Sequence, residues 1–153
     1  MYVFIRWQKT FETGHALIDT QHRLLVFLFK RLDAAIKTGQ PPARLYRIVL
    51  ETRKFVEFHF VSEENLMEET GYPDLAYHRK VHTDLLLELN LLIGKVSSRR
   101  EFPDDLLYFM NKWLIEHIGG HDQRVALHAR DGVERPVAEL FYLEYFPALP
   151  SRE

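Results

Sequence analysis

Apolar residues recur at spacings of three and four over four long stretches of the chain, the pattern of helices that each bury one face. The first stretch follows an N-terminal arm, residues 1–18, and carries Leu25, Phe29, Leu32 and Ile36. Asp19, just ahead of it, is placed to cap that helix. Gly39 ends the helix and Pro41-Pro42 opens the next, because glycine suits the position after a helix and proline its first turn. The second helix, 42–69, carries Leu45, Ile48, Thr52, Phe55 and Leu66 on one stripe and stops at Gly71-Tyr72-Pro73. The third, 74–96, repeats the pattern through Leu75, Leu85, Leu89, Leu92 and Val96. Residues 97–100 read as a polar turn. Pro103 then opens a fourth helix with Leu106, Met110 and Trp113 inward, and Gly119-Gly120 is expected to break it. No stretch has the two-residue alternation of a strand. The prediction is an all-α protein, an antiparallel up-down-up-down four-helix bundle with an N-terminal arm and a C-terminal extension. The bundle takes residues 1–130 and the extension 131–153, where Val137, Leu140, Phe141 and Tyr145 keep helical spacing until Pro147. The extension is expected to pack its aromatic face on the bundle, with docking of a protein partner as the alternative.

Composition sharpens this picture at a few points. With 153 residues, 46% apolar and 27% charged, the chain can bury a core unaided. A formal charge of -2 supplies no basic face for nucleic acid. The absence of cysteine removes disulfides and thiolate ligands, so any metal must be held by nitrogen and oxygen. No apolar run reaches the roughly 18 residues of a membrane span, and Arg6, Gln8 and Lys9 interrupt the first residues. The chain therefore reads as cytoplasmic.

Eight histidines are the compositional oddity. Five continue the apolar stripes: His22 precedes Leu25, His59 follows Phe55, His78 and His82 sit between Leu75 and Leu85, and His117 follows Trp113. One buried histidine is ordinarily satisfied by hydrogen bonds, so depth in the bundle decides the matter. At 1.5 Å per residue the first helix climbs about 24 Å from His22 to its end, and the second descends about 25 Å to His59. The third and fourth climb and descend about 21 Å between His82 and His117. All five histidines, with Glu63 one turn beyond His59, thus converge at one end. Asp122 lies five residues past His117, the wrong angle on an unbroken α-helix, and the Gly119-Gly120 break is expected to swing its carboxylate back. Burying so many polar groups without partners would cost several kcal/mol, and metal coordination is the usual resolution. Seven ligands exceed one ion's shell, so two metals are required. Donor type alone leaves iron, zinc and copper open.

These residues resemble the hemerythrin family, and within it the bacterial hemerythrins. The matching text is Trp7, Phe11, Gly14 and Ile18-Asp19-Thr20-Gln21-His22, then His59-Phe60-Val61-Ser62-Glu63-Glu64 with Leu66-Met67, then Gly71-Tyr72-Pro73 with His78 and His82, and finally Trp113-Leu114-Ile115-Glu116-His117 and Asp122. The resemblance implies two iron ions joined by an oxo or hydroxo bridge. His78, His82 and His117 would bind one, His22 and His59 the other, and Glu63 and Asp122 would bridge them. It further implies reversible dioxygen binding, for carriage, storage or delivery, at an open position on the two-histidine iron, with no catalysis. Leu114, Ile118 and Phe60 would wall the pocket. Two other functions fit the same residues: sensing of oxygen, nitric oxide or redox state through a partner, and peroxide or nitric oxide detoxification. His15, His121 and His128 have no place in the ligand pattern and are expected on the surface, solvated or hydrogen-bonded. Glu64, Glu68 and Glu69 read as a solvated acidic face.

Overall fold

A computed structural model describes residues 6–99 and 104–131, and every regular element among them is helical. One 3-10 turn, Lys9–Phe11, leads into α1 (Ala16–Lys37), α2 (Pro42–Glu69), α3 (Leu75–Arg99) and α4 (Asp104–Trp113); a π-helical segment, Leu114–His121, then joins α4 to α5 (Asp122–Asp131). The four-helix bundle is as expected, and α2 has the predicted bounds. Pro103 and the extension 132–153, with its expected packing, lie outside the described residues.

Two helix ends follow from glycine. Gly39 and Gly71 have φ of 66° and 64°, which a residue without Cβ adopts freely. Each is followed by the paired bonds of a Schellman stop: Gly39 N–H to Ile36 O and Gln40 N–H to Ala35 O, both at 3.0 Å, then Gly71 N–H to Glu68 O at 3.2 Å and Tyr72 N–H to Met67 O at 2.8 Å.

Three boundaries differ from the sequence reading. Asp19 is not the N-cap of α1; His15 holds that position and Asp19 lies in the first turn. Its carboxylate accepts from Thr13 N at 2.8 Å, Thr13 Oγ1 at 2.7 Å and Gly14 N at 3.0 Å. Asp19 therefore ties the arm to the helix, whose first turn is built from Ala16, Leu17 and Ile18. Second, α3 runs through residues 97–99 to Arg99, where a turn was expected. Third, Gly119-Gly120 does not break the helix. The backbone widens to π geometry instead, and Asp122 N–H bonds back to His117 O five residues earlier.

The core is divided. A large cluster unites Leu25, Phe29 and Leu32 of α1, Ile48, Val56 and Phe60 of α2, Leu89 of α3, Met110 and Trp113 of α4, and Ile118. A small cluster unites Ile18, Leu66, Met67, Val125, Ala126 and Ala129, with Tyr72 and Leu75 against it. Along α1 the order is Ile18, His22, Leu25; along α2, Phe60, Glu63, Leu66; along α3, Leu75, His78, His82, Leu89. From the π segment into α5 it is Ile118, Asp122, Val125. On each path the polar residues fall between members of the two clusters.

Candidate metal centre

All seven residues expected to hold metal are buried, none more than 2% exposed. They fall into two groups whose potential ligand atoms lie within 4.8 Å of one another: Glu63, His78, His82, His117 and Asp122 in one, His22, His59 and Asp122 in the other. Asp122 belongs to both. Its Oδ1 lies 3.0 Å from His117 Nε2 and 3.3 Å from His78 Nε2, while its Oδ2 lies 2.9 Å from His22 Nε2. Glu63 Oε2 sits 3.2 Å from His78 Nε2 and 3.1 Å from His82 Nε2. The rings of His78, His82 and His117 are mutually 4.5 to 5.1 Å apart, and those of His22 and His59 are 5.0 Å apart.

These contacts are mostly not hydrogen bonds. Nε2 of His22, His59, His82 and His117, Oε1 of Glu63 and both oxygens of Asp122 are buried without a hydrogen-bond partner. Such atoms are costly orphans in a folded interior unless something else satisfies them. Two ligands held at about 2.1 Å on adjacent positions of one ion are about 3 Å apart, the spacing seen here between nitrogen and oxygen. The donor set therefore fits a pair of cations.

Two side chains outside the expected set orient the imidazoles. His59 Nδ1 donates to Gln21 Oε1 at 2.8 Å, and Gln21 Nε2 in turn donates to Ser62 Oγ at 2.8 Å. His82 Nδ1 donates to Glu64 Oε1 at 2.9 Å, and Glu64 is also paired to Arg79 at 3.3 Å. A proton fixed on Nδ1 leaves the Nε2 lone pair for metal. Glu64, expected on a solvated face, is thus a half-buried partner of His82. Gln21 was part of the recognised motif but had no role assigned. Its position four before Leu25, on the apolar stripe, was the signal for it, and the structure leaves it only 7% exposed.

Burial and neighbouring groups set the protonation of four of these side chains. Burial, and after it neighbouring His22, lowers His59 to a pKa of about 3, so its ring is neutral and ready to ligate. Burial and Asp122 push Glu63 up, but the imidazoles of His78 and His82 against its Oε2 outweigh them and hold it at about 2. Burial likewise opposes ionisation of Asp122, yet His117, His22 and His78 keep it well below the usual range. His78 goes the other way: burial lowers it, but the carboxylates of Asp122 and Glu63 beside it raise it to about 9. Without metal, a proton on His78 stands between the two carboxylates where a cation would.

Of the expected pocket wall, Leu114 and Ile118 are 1% and 0% exposed on the segment that carries His117. Phe60 stacks on His82 with ring centres 3.9 Å apart and planes at 7°, which puts it against the three-histidine group. His128, as expected, is hydrogen-bonded, Nε2 to Thr70 O at 2.8 Å. His121 is half-buried, its ring 5.5 Å from that of His117. His15, expected on the surface, is instead buried at 1% exposure, where it holds the N-cap position of α1.

The chain is similar to known proteins of one family. The family described as hemerythrin HHE cation binding domain matches residues 13–126. A bacteriohemerythrin of Stenotrophomonas maltophilia is 32% identical over 120 residues, 78% of this chain and 78% of that protein. One from Pseudomonas aeruginosa is 28% identical over 134 residues, 88% of this chain and 84% of the relative. A myohemerythrin of Theromyzon tessulatum is 29% identical over 117 residues, 76% and 87% respectively. With the family match spanning most of the bundle, from the arm through the π segment into α5, the chain belongs to the hemerythrin HHE cation-binding family.

Proposed function

We propose that this chain binds dioxygen reversibly at a pair of iron ions, as an oxygen-carrying, storing or delivering protein whose residues 1–130 form the binding bundle. His78, His82 and His117 would hold one iron and His22 and His59 the other, with Asp122 and Glu63 as carboxylate ligands between the two groups. The observation that carries this reading is the Asp122 carboxylate, which presents one oxygen to each histidine group. Glu63 keeps Oε1 buried and without a hydrogen bond, available as a further metal ligand.

A pair of ferrous ions held there would supply the two electrons that reversible dioxygen binding draws on. The chain supplies the rest. Five neutral imidazoles and two carboxylates give less anionic charge than the carboxylate-rich di-iron bundles, which disfavours high oxidation states and O–O cleavage. Gln21 and Glu64 fix the faces that His59 and His82 present. The group with two histidines has fewer protein donors, so an ion held there would have room for dioxygen. Leu114 and Ile118 keep water from that position, and Phe60 seals the three-histidine side through His82.

The test is metal analysis, anaerobic reduction and an oxygen titration followed by optical spectra. Two irons per chain and a spectrum that returns to the reduced form under argon are expected. Loading below two irons, or steady consumption of oxygen or peroxide, overturns the carrier reading in favour of sensing or detoxification.

A further inference from the structure

Arg44, Arg47, Glu51 and Lys54 follow one another on α2 at spacings of three, four and three, so they share one face of that helix. α1 adds Arg31 to this face, its Nη1 donating to Glu51 Oε2 at 2.7 Å. Together with Ile48 and Leu50 these side chains line an open cleft of about 420 Å³. Small-molecule sites have this size and this makeup, an apolar lining with a few convergent polar groups. No residue of the metal centre lines the cleft. Arg31 is about 14 Å along α1 from His22, and Arg47 about 18 Å along α2 from His59.

Four cations and one carboxylate line the cleft, in a chain whose formal charge is -2. That carboxylate, Glu51, is occupied by Arg31. Lys54 reaches Glu57 at 3.4 Å, a carboxylate that Arg53 also holds at 3.0 Å. Arg44 and Arg47 form no ion pair among the described residues. Both stand at the beginning of α2, whose first turn has no acidic residue. The positive end of the helix dipole lies there, so two cations at this end work against the helix unless a negative charge joins them.

Arginine forks bind carboxylate and phosphate alike, and the number of cations separates the two. A carboxylate brings one charge, which a single fork satisfies. A phosphate monoester brings about -1.5 to -2 charges and three acceptor oxygens at neutral pH, enough for two forks at once. Arg44 and Arg47, one turn apart with about 5–6 Å between Cβ atoms, are spaced to hold one such group. Inorganic phosphate would leave Ile48, Leu50 and most of the volume unused, whereas an apolar or aromatic body attached to the phosphate fills it.

We propose that the cleft between α1 and α2 binds a small organic phosphate monoester. Arg44 and Arg47 hold the phosphate, the apolar or aromatic body lies on Ile48 and Leu50, and Arg31 and Lys54 flank it. Bound there, the ligand supplies the negative charge that the first turn of α2 lacks. The cleft is separate from the metal centre, and the inference stands whether or not the iron reading holds.

Calorimetric titration of the full chain with adenosine monophosphate in low-salt buffer is the test. One molecule per chain is expected, bound about 10-fold more tightly than inorganic phosphate because the body buries apolar surface, and more weakly as salt rises. Arg44→Gln with Arg47→Gln should weaken binding about 10-fold or more, the loss of at least one charge-assisted bond. Lys30→Gln with Lys80→Gln removes the same charge from exposed positions outside the cleft and should bind as the natural chain does. As a measurement that needs no variant, adenosine monophosphate should raise the melting temperature of the natural chain and adenosine should not. Absence of saturable binding overturns the proposal. Equal weakening in the two double variants, which makes the effect one of overall charge, also overturns it, as does equal affinity for inorganic phosphate.

Discussion

His59 donates from Nδ1 to the side-chain oxygen of Gln21 at 2.8 Å, so a residue next to one histidine of the pair orients the other. Ser62 holds the same amide from its nitrogen end, which leaves only one orientation for the Gln21 carbonyl. Removing the acceptor in Gln21→Leu should weaken iron retention about 10- to 100-fold, the usual effect of losing a partner behind a metal ligand. Gln21→Glu keeps an acceptor and should stay within a few-fold of the natural protein. Iron release to a competing chelator measures both, and equal release from Gln21→Leu and the natural chain would sink the assignment.

In iron-free protein two histidines set opposite pH limits. His59 is lowered from 6.5 to about 3, so between those values the unfolded chain binds a proton that the folded chain refuses, and stability falls as pH drops. His78 is raised from 6.5 to about 9, so its contribution is complete below pH 6.5 and is lost as pH rises to about 9. Melting temperature without iron should therefore peak near pH 6.5 and decline on both sides. Iron replaces the His78 proton, so loading should abolish the alkaline decline and keep the acid one. Calorimetric melts of both forms between pH 5 and 9 decide this; an iron-free form that melts equally at pH 6.5 and 9 contradicts it.

The π segment carries one residue more than an α-helix of the same span would. Deleting Gly120, where an added Cβ would meet open space, should restore α geometry and leave Asp122 four residues past His117, about 40° around the helix and on the same face. The helical circular dichroism and the loading of two irons per chain should both persist. Iron loading that drops to one or none in the deletion variant would show that Asp122 depends on the widened turn itself.

Leu114→Ala and His82→Ala separate wall from ligand. The leucine change should cost about 2–5 kcal/mol of stability, as large-to-small core changes do, yet keep two irons. It should also speed oxidation of the oxygenated form, because water reaches the open position. His82→Ala should lose iron itself. Equal iron loss in the two variants would remove Leu114 from the pocket.

Much of this was legible because periodicity carries both helices and depth. His22, His59, Glu63, His78, His82 and His117 could be placed at one end from 1.5 Å per residue and short turns alone. Asp122 was legible as a participant but not in its means of arrival: glycines suggested a break, whereas an i to i+5 bond keeps the helix going. Asp19 has the composition of a cap, but three donors of the arm compete for its carboxylate, a tertiary relationship invisible in a local pattern. Glu64 looked like one of a run of surface charges because its partner, His82, is eighteen residues away.

The polar layer between the two apolar clusters leaves a seam across the described core. Ile18, Leu66, Met67, Val125, Ala126 and Ala129 form a small hydrophobic unit, and His22, Glu63, His78, His82 and Asp122 lie along the chain between it and the larger one. A cation pair spanning that seam would weld the units into one. Without it, the amides of α5 and of the last turn of α2 should exchange with solvent well before those around Trp113, and iron addition should bring the two sets of rates together.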